Sequence, residues 1–147
     1  MTTQLTLRDG LKVDVDISGC GRPVVMVHGW AMNGRLFDGV RPFLDERFAV
    51  LSYDLRGHGT LRECRPPTIE QLGADLAEIV TGLDLTGAVL VGWSMGAMVV
   101  WEAMTASAVS DRVAGIVSID MSPRITNDRD WALGLADGRR AQSTLRA

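Results

Sequence analysis

The sequence predicts an α/β domain built on a mostly parallel sheet with an antiparallel hairpin at its amino-terminal end. Three observations carry this. Leu5, Leu7, Leu11, Val13, Val15 and Ile17 lie at period two around the turn signal Arg8-Asp9-Gly10, the pattern of a half-buried hairpin. Four short continuous apolar runs follow, at 24–27, 48–51, 88–91 and 113–119, of the kind found in strands buried on both faces. Helical patterns separate them, and buried strands alternating with helices build parallel sheets.

Taken in order, the hairpin ends at Gly19-Cys20-Gly21-Arg22-Pro23, and Val24-Val25-Met26-Val27 begins the buried series. A helix is expected over 34–44. The clearest helix spans 68–83, because Ile69, Leu72, Leu76, Ile79, Val80 and Leu83 recur at helical spacing. Thr68 is its expected N-cap, with Glu70 and Gln71 in the first turn. A third helix is expected over 95–108, before the strand at 113–119.

Composition limits the function. A chain of 147 residues with 46% hydrophobic and 22% charged residues is long enough for one globular domain, burying roughly 70% of its unfolded surface. A net charge of −3 with scattered basic residues argues against nucleic-acid binding. No secretory signal is apparent at the amino terminus, and no apolar run reaches the roughly 20 residues of a membrane span. The two cysteines, Cys20 and Cys64, lack CxxC spacing and read as structural thiols in a reducing cytoplasm. No HExxH, P-loop or post-strand GxGxxG is present, so the expectation is no cofactor and no metal.

In open parallel sheets ligands bind outside the carboxyl ends of the strands, so the residues there matter most. Three ends are unusual: His28-Gly29-Trp30, Asp54-Leu55-Arg56-Gly57-His58-Gly59, and Gly92-Trp93-Ser94-Met95-Gly96. The last is G-x-S-x-G between a strand-like and a helix-like run, the context of a nucleophile elbow. Gly92 and Gly96 would permit close backbone approach while Ser94 sits exposed at a strained tip.

These three motifs, in this order, resemble the amino-terminal part of an α/β-hydrolase, specifically the branch of small esterases, lactonases and cofactor-free haloperoxidase-like enzymes. The resemblance implies an α/β-hydrolase fold truncated after about the sixth strand, with 1–124 as core and 125–147 as the opening of an incomplete cap. It implies that Ser94 attacks an acyl carbonyl and that the backbone N–H groups of Met95 and Trp30 hold the oxyanion. His28 and Gly29 then support the oxyanion loop, the family's catalytic histidine coming later in the chain. Asp54 and Arg56 are expected to pair and fix the turn that carries His58.

Neither histidine is therefore read as the base. Asp120, at the end of the sixth strand, is a candidate acid, although shaping the pocket floor with Met121-Ser122-Pro123-Arg124 is the preferred reading. In the cap region Trp131, Leu133 and Leu135 are expected to pack rather than cover substrate, and 139–147 receives no assignment. The function expected is hydrolysis of a small ester, lactone or similar acyl substrate, by a chain lacking its catalytic histidine. The alternative is a non-catalytic binding or interaction module that keeps the elbow. An apolar sixth strand at the sheet edge would invite self-association.

Overall fold

The structure, a computed structural model, describes residues 1–124, 126–134 and 136–137. Strands β1 (Thr2–Thr6) and β2 (Lys12–Gly19) form the expected antiparallel hairpin, with Leu5 opposite Val13. Gly10 closes the turn at φ 87°, and the Asp9 carboxylate accepts the Leu11 N–H at 3.0 Å. Strands β3 (Arg22–Val27), β4 (Phe48–Tyr53), β5 (Ala88–Trp93) and β6 (Val113–Ile119) complete a six-stranded sheet of order β1-β2-β4-β3-β5-β6. β4 runs antiparallel to β2, whereas β3, β4, β5 and β6 are mutually parallel neighbours.

Period-two alternation distributes each inner strand between two cores. Val25 and Val27 enter the larger cluster with Leu51, Leu72, Leu76, Ile79, Leu90 and Val99. Val24 and Met26 point the other way, into a smaller cluster with Phe37, Val50 and Val91. The larger cluster is covered by α2 (Ile69–Gly82) and α3 (Met95–Ala103). Thr68 caps α2, its hydroxyl accepting the Gln71 N–H at 3.2 Å.

Two expected helices are interrupted, each for a local reason. The span 34–44 divides into a 3₁₀ turn at Gly34–Phe37 and the short α1 (Arg41–Leu44). Pro42 lacks an N–H and fits only the first turn of a helix, so a helix containing it has to begin at about Arg41. The span 95–108 stops at Ala103, and α4 (Ser107–Ser110) starts afresh after extended backbone at Ala106. Thr105 takes the Glu102 carbonyl with its own hydroxyl at 2.8 Å, an alternative to continuing the helix.

Among the described residues β6 is an edge strand. The run 113–119 is a strand as expected, but it is not buried on both faces: Val117 is 45% and Ile119 42% exposed. With Trp93, Val89, Phe48 and Leu36 these two residues line an open apolar hollow of about 540 Å³ on the smaller-core side of the sheet. Within the expected cap region, β7 (Thr126–Asn127) and β8 (Ala136–Asp137) form a separate parallel pair. Leu133 is 74% exposed, contrary to the packing expected of it. The Trp131 indole N–H donates to the Arg124 carbonyl at 3.2 Å. Leu135 and the tail 139–147 lie outside the described residues.

Candidate active site

The three motif loops converge at the carboxyl ends of β3, β4 and β5. Ser94 joins β5 to α3 with φ 52° and ψ −122°, a conformation that residues other than glycine rarely adopt. The glycines on either side explain how so sharp a joint closes. A Cβ on Gly92 would strike the Ala97 Cα, and one on Gly96 would strike the Val27 carbonyl oxygen. The Ser94 N–H donates to the Ile119 carbonyl on β6 at 2.9 Å, and the Ser94 carbonyl accepts the Ala97 N–H at 2.9 Å. The backbone is thus held from both sides, while the hydroxyl caps nothing and has no hydrogen-bond partner among the described residues.

The loop after β3 lies against this joint. A Cβ on Gly29 would stand 3.2 Å from the Ser94 Cβ and 3.0 Å from the Trp93 ring. His28 is fully buried and ties the loop to its neighbours: its Nε2 accepts the Leu55 N–H at 2.9 Å. Nδ1 therefore carries the proton and donates it to the Gly29 carbonyl at 2.8 Å. Burial pushes the His28 imidazole below its ordinary value, and the neighbouring His58 adds to this. Both ring nitrogens are occupied, so His28 has no free nitrogen to offer Ser94.

His58 is nearly buried, with Nδ1 3.1 Å from the Arg56 carbonyl. Its ring stands edge-on to His28 at 5.4 Å and to Trp30 at 5.5 Å. Trp30 itself is 72% exposed beside the joint.

Asp54 and Arg56 do not pair with each other as expected, because each finds a better-matched partner. The Asp54 carboxylate accepts the Gly34 N–H at 2.8 Å, the Thr60 N–H at 2.7 Å and the Thr60 hydroxyl at 2.9 Å. Burial opposes its charge, but these bonds outweigh burial and hold its carboxyl below the usual range. Arg56 donates through Nε and Nη2 to the two oxygens of Asp75, both at 2.9 Å, and through Nη1 to Asp9 at 2.7 Å. Asp75 sits on the buried face of α2 and also accepts from Gln71 at 3.0 Å. Its sequence signal was an acidic residue on the apolar stripe between Leu72 and Leu76.

Asp120 follows Ile119 directly, exposed, with φ 55°. It neighbours the joint through the chain but has no hydrogen-bond partner among the described residues. The structure thus gathers Ser94, Met95, Gly92, Gly96, Gly29, Trp30 and His28 at one place, and Asp120 directly follows the Ile119 carbonyl that braces Ser94. Among the described residues no three His, Cys, Asp or Glu side chains converge as a metal site would require.

With this geometry established, comparison with known proteins is decisive for the family. The profile of the alpha/beta hydrolase family matches residues 24–147. The chain belongs to the alpha/beta hydrolase family. Among curated hydrolases it is similar to a pimeloyl-[acyl-carrier protein] methyl ester esterase of Nitrosomonas europaea, 31% identical over 85% of this chain and 47% of the relative. The esterase of the same description from Methylococcus capsulatus is 35% identical over 80% of this chain and 44% of its own length. Among solved hydrolase structures, an esterase from Exiguobacterium antarcticum superposes with a TM-score of 0.80 at 26% identity, covering 99% of this chain and 55% of that one. A bromoperoxidase from Bacillus anthracis superposes with a TM-score of 0.78 at 25% identity, covering 97% and 53%. The chain spans about half the length of the hydrolases it matches. No helix among its described residues is long and apolar enough to cross a membrane.

Proposed function

We propose that this alpha/beta hydrolase member uses Ser94 as the nucleophile in hydrolysis of a small ester, lactone or similar acyl substrate. The observation that carries the reading is the strained backbone of Ser94 at φ 52°, held between β5 and α3 with its hydroxyl unengaged. Such strain costs of order 1–3 kcal/mol and persists where the surroundings over-determine it, most often at reactive sites. Similarity to methyl ester esterases and to a solved esterase supports acyl-ester chemistry.

In this mechanism the Ser94 oxygen attacks the acyl carbon as its proton passes to a base. The carbonyl oxygen becomes an oxyanion, received by the backbone N–H groups of Met95 and Trp30 and favoured by the amino-terminal end of α3. Collapse expels the alcohol with the proton, and water then releases the acid by the same path in reverse. Each oxyanion donor contributes about 3 kcal/mol in the transition state. Neither His28 nor His58 is assigned as that base, because both nitrogens of His28 are engaged and His58 packs against Trp30 and His28.

The test is covalent labelling with a fluorophosphonate. Labelling of the folded chain that disappears in Ser94→Ala supports the reading. A folded chain whose Ser94 stays unmodified under prolonged exposure favours instead a binding module that retains the elbow.

A further inference from the structure

We infer that the groove running from Trp30 and Met95 along the first turn of α2 receives the acyl chain of the substrate, and that the chain it selects is apolar and uncharged. This rests on Ser94 as nucleophile and adds the substrate class. The groove encloses about 540 Å³, and its walls include Trp30, Ile69, Leu72, Met95 and Met98. Leu72 and Met95 are buried, while Met98 is half-buried.

The position of the groove favours this occupant over any other. Trp30 and Met95 contribute side chains to its walls, and they are the two residues whose backbone N–H groups would receive the oxyanion. A chain attached to the reacting carbon therefore begins at the groove's mouth. The apolar hollow beside β6 offers no such start, because neither oxyanion residue lines it.

Charge then narrows the chemistry. Glu70 stands exposed at the groove's edge, and no Lys or Arg lines it. Arg56 is committed to Asp75 and Asp9, and with Arg65 it lines a separate pocket on the other side of Pro67 and Thr68 rather than the groove itself. A carboxylate at the far end of the acyl chain would face Glu70 with no Lys or Arg in the wall to receive it, and the one histidine there, His58, is nearly buried against Trp30 with Nδ1 on the Arg56 carbonyl. A methyl-terminated chain instead meets two methionines, whose unbranched, polarisable side chains adapt to its shape.

The experiment follows methyl-¹³C methionine signals of the intact chain by NMR. Methyl hexanoate should shift the Met95 and Met98 methyl resonances, each added methylene should tighten binding about fourfold, and monomethyl glutarate should bind at least tenfold more weakly. Met98→Trp should remove the response, with Ile69→Gln as a milder second variant if the tryptophan does not fit. Absence of shifts with methyl hexanoate, or tighter binding of the anionic ester, overturns the inference. The readout needs no reaction at Ser94, so an unreactive serine with an intact methionine response counts against the nucleophile alone.

Discussion

Arg56 on the loop after β4 grips both oxygens of Asp75 on the buried face of α2, at 2.9 Å each, and joins the β1–β2 turn through Asp9 at 2.7 Å. One guanidinium thus fastens three segments whose only sequence neighbours are themselves. The planar fork of arginine matches a carboxylate in a way that lysine does not. Asp75→Ala should cost up to about 3 kcal/mol, since it leaves the largely buried Arg56 with the exposed Asp9 as its remaining carboxylate. Equilibrium urea unfolding measures this, and Arg56→Met combined with Asp75→Leu should lose less than either single change.

The imidazole of His28 is held neutral, and this fixes a pH dependence. Its proton affinity in the folded chain is lowered from the ordinary 6.5. The unfolded chain therefore binds more protons just below that value. The stability His28 contributes is full above about pH 6.5 and falls as pH drops towards the lowered folded value. Asp54 and Asp9, whose carboxyls are lowered from 3.8, lose their contributions only in a separate, more acidic window. Unfolding free energy measured between pH 7 and 5 should decline, and His28→Gln should flatten that slope.

Ser94 adopts a backbone shape that glycine tolerates better. Ser94→Gly should raise stability by up to about 1 kcal/mol, relief of strain outweighing the added freedom of the unfolded chain. Fluorophosphonate labelling should vanish in the same variant. Denaturation midpoints show the gain; a midpoint that falls would mean the φ of 52° is no strain at all.

Gly96→Ala tests the close approach on the other side. Its new methyl would meet the Val27 carbonyl, a backbone atom at the end of the inner strand β3 that has little room to yield. Loss of several kcal/mol, or failure to fold, is expected from overpacking of this kind. Gly115→Ala, where nothing lies within 4 Å, serves as the control and should be tolerated.

Among the described residues the outer edge of β6 is unpaired, and Val117 and Ile119 expose apolar side chains on the face beside it. Unpaired apolar edges associate, so light scattering should report growth of larger species with concentration. Val117→Lys should suppress it, as charged residues do on natural edge strands.

The hairpin and the buried strands were legible because apolar alternation and continuous apolar runs report burial directly. Leu5, Leu7, Leu11, Val13, Val15 and Ile17 all lie in or against the larger core. The helix boundaries at 34–44 and 95–108 were not, since Pro42 and Thr105 act through single backbone groups that periodicity does not register. At the site, the flanking glycines of Ser94 announced the sharp joint. The expected pairing of Asp54 with Arg56 failed because nearness in sequence says nothing of competing partners. Gly34 and Thr60 satisfy one, and Asp75 and Asp9 the other. The groove beyond Trp30 was invisible for a related reason: its walls come from 30, 58, 67–70, 72, 95 and 98, which only the fold brings together.

The bond from the Ser94 N–H to the Ile119 carbonyl also sets a lower limit for anyone reducing this scaffold to its essentials. The serine is supplied by one strand, but its shape is braced by the next. A series of progressively shortened chains should keep the joint intact down to Ile119 and lose it abruptly at the first cut inside β6. A designer grafting the G-x-S-x-G turn onto another sheet would have to carry over two adjacent parallel strands rather than one.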